Sequence, residues 1–177
     1  MRLALQRSVV RSWETADLAS LVAHADNRHA SHLRDRFPHP YTMHDGRAFL
    51  RSVRKANPET TFAIAVDGAA VGSIGFMLQQ DVERVSAEIG YWLGESFWGQ
   101  GIVSEALVAV TTYAIQQHRL TRLFALPFAD NAASCRVLEK AGYTLEARLH
   151  RSAIKNGVVV DQCQYAFIAP WGRGTNT

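Results

Sequence analysis

Two glycines between a predicted strand and a predicted helix could bind a phosphate group. Gly99 and Gly101 follow the strand-like segment 88–93, and helical spacing of apolar residues begins at Ile102. The first turn of a helix carries free N–H groups and the positive end of the helix dipole. Glycine also lets a bulky anion approach the backbone closely. The turn therefore predicts an anion site without a charged side chain, although such glycines can also serve only the geometry of the turn.

Neither of two widespread phosphate-binding loops fits this turn. A P-loop needs a lysine after its last glycine, and Ile102 follows Gly101 instead. The dinucleotide-binding fingerprint needs a third glycine, and Ser104 stands at that position. A protein that uses this turn to bind ATP or NAD is therefore disfavoured.

A second polar group precedes the next predicted helix. Asn131 is a favourable N-cap for a helix over 132–141, and Gly142 closes that helix. Ser134 then lies one turn into the helix, at its positive end, where a hydroxyl could protonate a thiolate leaving group. The alternative is that Asn131 only caps the helix and Ser134 is an incidental small residue.

The segment 90–106 resembles the acyl-CoA loop of the GNAT N-acetyltransferases, most of all the RimJ/RimL-like branch. Its pattern is G-Y-W-L-x-x-x-x-x-G-x-G-I-x-S-E-A. The pattern N-x-x-S at 131–134, followed by Gly142-Tyr143, is similar to the second signature of that family. The resemblance implies acetyl-CoA as co-substrate and Ser134 beside its sulfur. It also implies that the cofactor-binding residues are Trp92, Leu93, Trp98, Gly99, Gln100, Gly101, Ile102, Val103, Ser104 and Asn131.

The same resemblance implies a fold. The expected class is mixed α/β of the GNAT type, with a central, twisted, mostly antiparallel sheet flanked by helices. Its parallel pair, strands 87–93 and 122–128, is expected to splay so that the pantetheine arm lies between them. The backbone N–H groups around Trp92 and Leu93 would then be candidates for binding the thioester oxygen.

A general base is needed because an alkyl ammonium with a pKa of about 10 is mostly protonated at neutral pH. Glu88 is the first candidate, with a surface or cross-strand charge as the alternative, and Glu146 is the reserve. Ala153 stands where some ribosomal-protein members are thought to have a glutamate, which weakens that substrate assignment. Three tyrosines could donate a proton, although tyrosines in strands more often belong to the core: Tyr91, Tyr143 and Tyr165.

The predicted function is transfer of an acetyl group from acetyl-CoA to a primary amine. The acceptor could be a protein or peptide N-terminus, a polyamine, an amino acid or an aminoglycoside. The alternative is a non-catalytic module that senses acyl-CoA. The last hairpin could also pair across a homodimer.

Bulk properties exclude several classes of protein. The chain has 177 residues and a net charge of +3, which is too mild and too scattered for nucleic-acid binding. No segment has the apolar length of a membrane span, and a cytoplasmic location is expected. Two cysteines without a C-x-x-C motif fit a reducing compartment, and His29-x-x-His32 lacks a third metal ligand, so no metal is expected.

The chain is predicted to form one domain over 1–170, with a frayed tail at 171–177. Apolar periodicity and turn residues predict the order β, α, α, β, β, β, α, β, α, β, β. The first strand is placed at 3–13. Asp67-Gly68 and Asn156-Gly157 predict tight hairpin turns, since these residues tolerate positive φ.

Overall fold

The computed structural model describes residues 1–26 and 37–170, in which helices cover both faces of a sheet. The strands are β1 (Arg2–Ala4), β2 (Val9–Arg11), β3 (Thr61–Val66), β4 (Ala69–Leu78), β5 (Ser86–Leu93), β6 (Arg122–Ala125), β7 (Thr144–Lys155) and β8 (Val158–Ile168). The helices are α1 (Leu18–Ala25), α2 (Met43–Lys55), α3 (Ile102–His118) and α4 (Ala132–Lys140).

The sheet has the order β1-β2-β3-β4-β5-β6-β8-β7. All neighbouring strands pair antiparallel except β5 and β6, which are parallel. This confirms the predicted mixed α/β class and the mostly antiparallel sheet. The two predicted hairpin turns are also present: Asp67 and Gly68 have φ values of 48° and 86°, and Asn156 and Gly157 have values of 50° and 78°.

The predicted first strand over 3–13 is wrong in detail. The segment forms two short antiparallel strands, β1 and β2, and the Leu5 N–H donates to the Ser8 carbonyl at 2.9 Å where the chain reverses. The reversal carries Gln6 and Arg7, neither of which is a typical turn residue, so no local signal predicts it. The structure therefore has one more strand than predicted.

Two hydrophobic clusters hold the layers together. The larger one joins the sheet to α3 and α4, and Leu107, Val110, Leu123 and Leu138 are fully buried in it. The smaller one joins the opposite face to α1 and α2. Helix α2 begins at a capping box in which Thr42 and Asp45 satisfy each other's backbone N–H groups.

The parallel pair β5–β6 is short, and the strands separate beyond it. Pairing runs only from Ser86 with Arg122 to Glu88 with Phe124. Strand β6 ends at Ala125, three residues before the predicted end, and Pro127, which has no N–H to donate, follows soon after. The second half of β5 therefore has no strand partner on this side, which confirms the predicted splay.

Other expectations are answered only in part. Within the described residues, no helix is long and apolar enough to cross a membrane. Among those same residues no group of three metal-ligating side chains occurs, and Cys135 and Cys163 are free thiols. The pair His29 and His32 and the tail at 171–177 lie outside the described residues, so the domain boundary at 170 stays a prediction.

Candidate active site

The glycine turn at the start of α3 leaves the N-terminus of that helix uncapped. Gly99 and Gly101 have φ values of +74° and +80°, in the left-handed region that favours glycine. Gly101 is the N-cap residue, so no side chain bonds to the first turn. The Glu105 N–H donates to the Gly101 carbonyl at 3.1 Å. The N–H groups of residues 102–104 precede this bond and have no acceptor within the helix.

The space over the turn is open. A Cβ atom on Gly99 would meet nothing within 4 Å, and one on Gly101 would meet only the Arg7 Nη1 atom, at 3.8 Å. The glycines are therefore required for backbone geometry and not for packing. The Arg7 guanidinium also forms an ion pair with Glu105, in the first turn of α3. This pair neutralises a carboxylate that would otherwise repel an anion at the helix N-terminus.

Two side chains brace the turn. The Trp98 indole N–H donates to the Leu93 carbonyl at 2.8 Å and so ties the turn to the end of β5. The Gln100 amide donates to the Ser96 carbonyl at 3.1 Å. Trp98 still lines the cavity described below, whereas Gln100 does not. Gln100 thus stabilises the turn from outside the cavity, and its role in cofactor binding stays a prediction.

The register of β5 determines which backbone N–H groups face the splay. The Gly94 N–H donates to the Val71 carbonyl of β4 at 2.8 Å, and Trp92 lies opposite Ser73 in the same antiparallel ladder. Because N–H directions alternate along a strand, the Trp92 N–H points to β4 and the Leu93 N–H points away from it, to the unpaired side. Of the two predicted thioester-binding groups, only the Leu93 N–H is available.

Ser134 lies at the start of α4, across the splay from β5. The Asn131 Oδ1 atom accepts the Ser134 N–H at 3.0 Å, which is the predicted N-cap bond. The Ser134 Oγ atom lies 2.9 Å from the Tyr91 hydroxyl of β5. Burial raises the pKa of Tyr91 far above its usual value, so this phenol stays protonated. Tyr91 is therefore a neutral hydrogen-bonding partner that orients the Ser134 hydroxyl.

Glu88 lies on the other face of β5. Ile89, Tyr91 and Leu93 pack towards α3 and α4, whereas Trp92 packs with the α1–α2 cluster. Since strand side chains alternate between faces, Glu88 shares the face of Trp92. It is half-buried and lines the cavity. Glu88 and Ser134 therefore lie on opposite faces of β5.

The reserve base and two of the tyrosines are held elsewhere. Glu146 accepts the Arg122 Nη1–H at 2.7 Å and the Gln164 amide at 3.2 Å, and the Arg122 hydrogen bond lowers its pKa. A lowered pKa weakens a base, and Glu146 does not line the cavity. Tyr143 shares a 2.6 Å hydrogen bond with Thr111, and burial raises its pKa to about 12.

Tyr165 likewise belongs to the core. Its hydroxyl donates to the Glu139 Oε1 atom at 2.8 Å, and burial is the main reason that its pKa lies above the usual value. Tyr91 is therefore the one tyrosine of the three that reaches the cavity.

A cavity of ≈ 1520 Å³ joins these groups. It reaches both faces of β5 and extends beneath α2. The predicted site residues that line it are Glu88, Trp92, Leu93, Trp98, Gly99, Gly101, Ile102, Val103, Ser104, Asn131 and Ser134.

Sequence reasoning missed the wall of this cavity under α2. Phe49 and Val53 fall on the apolar face of that helix, and Phe37 and Tyr41 precede it. An amphipathic pattern shows that a face is buried, but it cannot distinguish packing against a core from packing around a cavity. Arg7 was missed because its partner Glu105 is distant in sequence.

Comparisons with known proteins agree with this geometry. Residues 7–144 match the family model described as acetyltransferase (GNAT) domain. The chain is 36% identical over 107 residues to a ribosomal-protein-serine acetyltransferase of Escherichia coli (strain K12), covering 60% of this chain and 59% of the relative. It is 35% identical over 100 residues to an uncharacterized N-acetyltransferase, YoaA, of Bacillus subtilis (strain 168), covering 56% of each. The chain thus spans less than two thirds of these relatives.

Solved structures share the fold over nearly the whole chain. RimL, a ribosomal L7/L12 alpha-N-protein acetyltransferase in complex with coenzyme A, superposes with a TM-score of 0.84 at 23% identity, covering 95% of this chain and 98% of that one. A GNAT acetyltransferase from Bacillus anthracis gives a TM-score of 0.82 at 22% identity, with coverage of 95% and 98%. The family match covers most of the chain, and the chain belongs to the GNAT acetyltransferase family.

Proposed function

We propose that this protein transfers the acetyl group of acetyl-CoA to the N-terminal amine of a protein or peptide. The observation that carries the proposal is one cavity that joins an uncapped helix N-terminus to a half-buried carboxylate and to a paired serine and tyrosine. The names of the relatives support an amine of a protein as the acceptor.

The turn before α3 fits the pyrophosphate of acetyl-CoA. The N–H groups of residues 102–104 donate to its oxygens, and Gly99 and Gly101 leave the space that the phosphates need. The pantetheine arm follows the unpaired edge of β5 towards Leu93. Acetyl-CoA supplies an activated thioester, and the Leu93 N–H stabilises negative charge on the carbonyl oxygen during attack.

Glu88 is the proposed general base. The reaction forms a bond between the amine nitrogen and the carbonyl carbon and breaks the carbon–sulfur bond. The ammonium must lose a proton first, and Glu88 accepts it directly or through a water molecule. Its place on the α2 side of β5 puts the amine on the face opposite Ser134.

Ser134 is the proposed acid for the leaving thiolate. It gives its hydroxyl proton to the sulfur and regains a proton from solvent, while the Tyr91 hydroxyl, 2.9 Å away, orients it. The positive end of α4, capped by Asn131, stabilises the developing thiolate.

The test is thiol release from acetyl-CoA against a panel of amines, with CoA affinity measured in parallel by calorimetry. The panel holds peptides with free N-termini, polyamines, free amino acids and aminoglycosides. We expect turnover with peptides and CoA binding without any acceptor. Binding without turnover for every amine would contradict the enzymatic proposal and favour an acyl-CoA sensor. Absence of CoA binding would contradict the assignment of the glycine turn as the pyrophosphate site.

A further inference from the structure

The cavity continues beyond the reacting groups into a compartment with an apolar wall. We define this acceptor compartment by Phe37, Tyr41, Phe49 and Val53, together with the carboxylates of Asp45 and Glu88. The Phe37 ring lies 5.0 Å from the Tyr41 ring and 5.6 Å from the Trp92 ring, centroid to centroid. Phe49 meets Trp13 edge to face at 5.3 Å. These contacts fix the wall in place, so it is a preformed apolar surface.

The basic residues that line the cavity lie on its α4 side, where the carboxylate of Asp130 also lines it. The described basic residues that line it are Arg136 and Lys140, and both lie on α4. In the acceptor compartment the described charged residues are acidic: Asp45 at the start of α2 and Glu88 on β5. Hydrogen bonds from the Thr42 side chain and backbone lower the pKa of Asp45, so this carboxylate is ionised at neutral pH.

This lining discriminates among amines. A cationic amine gains from the carboxylates, and an apolar group beside it gains from leaving water against the aromatic wall. An acidic group close to the amine is repelled, and a polyamine or an aminoglycoside has little apolar surface to bury. One extra apolar group in such a pocket is worth about 10–200-fold in discrimination.

Resting on the proposed function, we infer that the preferred acceptor is a polypeptide N-terminus whose first residue is large and apolar, and that an acidic first residue is disfavoured. The α-ammonium lies beside Glu88, and the first side chain packs against Phe49 and Val53. Serine, the residue in the name of one relative, would leave this wall largely uncovered.

The test compares peptide amides that differ only in their first residue: phenylalanine, leucine, serine and aspartate. We expect kcat/KM for the phenylalanine and leucine peptides to exceed that of the serine peptide by about tenfold or more. The aspartate peptide should be the poorest. Equal or better turnover of the serine or aspartate peptide would overturn the inference while leaving the acetyltransferase proposal intact.

Peptide affinity in the presence of saturating CoA is measured as well, because it does not depend on turnover. Selective binding of the phenylalanine peptide by a protein that acetylates nothing would support the compartment and contradict the proposed function. Equal affinity for all four peptides would overturn the inference, whether or not the protein acetylates them.

Two variants test the wall and the charge without large changes of shape. Val53→Thr adds a hydroxyl to the wall and should lower kcat/KM for the phenylalanine peptide several-fold, with little effect on the serine peptide. Val82→Thr is the matched control, since Val82 is 72% exposed and lies outside the cavity. Asp45→Asn should reduce the difference in kcat/KM between the leucine and aspartate peptides. Ratios of kcat/KM between the peptides that stay at their wild-type values in both Val53→Thr and Asp45→Asn would overturn the assignment of these residues.

Discussion

Replacing Gly101 with glutamate places a negative charge where the pyrophosphate is proposed to bind. Gly101 has a φ of +80°, and its missing Cβ faces open space apart from Arg7 at 3.8 Å. The Gly101→Glu substitution therefore meets no steric barrier from packing. It acts in two ways: a side chain strains the left-handed backbone at this position, and the carboxylate repels the phosphate. Gly157 has a φ of +78° and an equally open environment in the turn between β7 and β8, so Gly157→Glu is a matched control.

Backbone strain and charge repulsion can be distinguished, because strain lowers the stability of both variants and repulsion lowers only the CoA affinity of Gly101→Glu. A non-glycine residue in the left-handed region costs about 1–2 kcal/mol of folding free energy, and this cost applies to both variants. Repulsion between the new carboxylate and one phosphate charge at about 6 Å is about 1–3 kcal/mol for an effective dielectric constant of about 80 down to 20. That energy applies only to Gly101→Glu with CoA bound. It corresponds to a loss of CoA affinity of about 5- to 150-fold.

The assay is calorimetric titration with CoA, combined with thermal unfolding of the free proteins. Both variants should lose similar stability, while CoA affinity should fall only in Gly101→Glu. Added salt should reduce the difference, since part of the repulsion is screened. CoA affinity in Gly101→Glu equal to that of the wild type would refute the assignment of the turn. An equal loss of affinity in Gly157→Glu would show that strain, and not charge, is responsible.

Three further predictions concern the proton-transfer groups and a buried ion pair. Glu88→Gln should lower kcat by about 100-fold or more with little change in CoA affinity, and unchanged turnover across the pH range would exclude Glu88 as the base. Ser134→Ala should slow thiol release by about 10- to 100-fold, and Tyr91→Phe should do so to a smaller extent; stopped-flow thiol detection that finds wild-type rates in both would remove the proposed acid. Burial raises the pKa of Asp17, but hydrogen bonds from Arg11 and from the backbone outweigh burial and bring it below 3.8. The ionised pair therefore stabilises the fold above that pH and is lost as the pH falls through the lowered pKa. Asp17→Asn should cost about 3 kcal/mol near pH 7, and its difference in unfolding free energy from the wild type should shrink as the pH falls through the lowered pKa of Asp17; a difference that does not change with pH would contradict this.

The parts of this protein that depend on local signals could be predicted from the sequence. The positive φ values at Gly99 and Gly101, the Asn131 cap and the two hairpin turns arise from residues that favour those conformations wherever they occur. Helix α3 follows from its apolar spacing. A string of residues that resembles a known family then led to the fold class, because the elements in this order have few ways to pair.

Contacts between distant segments could not be predicted in this way. The reversal at Gln6 and Arg7 has no turn residue, and it forms because β1 and β2 can each pair in the sheet. The ion pair of Arg7 with Glu105 joins residues 98 positions apart. Sequence spacing carries no information about such pairs.

The tertiary structure also decided the roles of residues that the sequence left open. The register of β5 directs the Leu93 N–H to the splay and the Trp92 N–H to β4. Arg122 binds Glu146 away from the cavity, whereas Glu88 lines it. Local conformations and the reactive groups that are present follow from the amino-acid sequence. Only packing of the sheet against its helices decided which groups share a cavity, because side-chain direction and solvent access depend on neighbours that are distant in the chain.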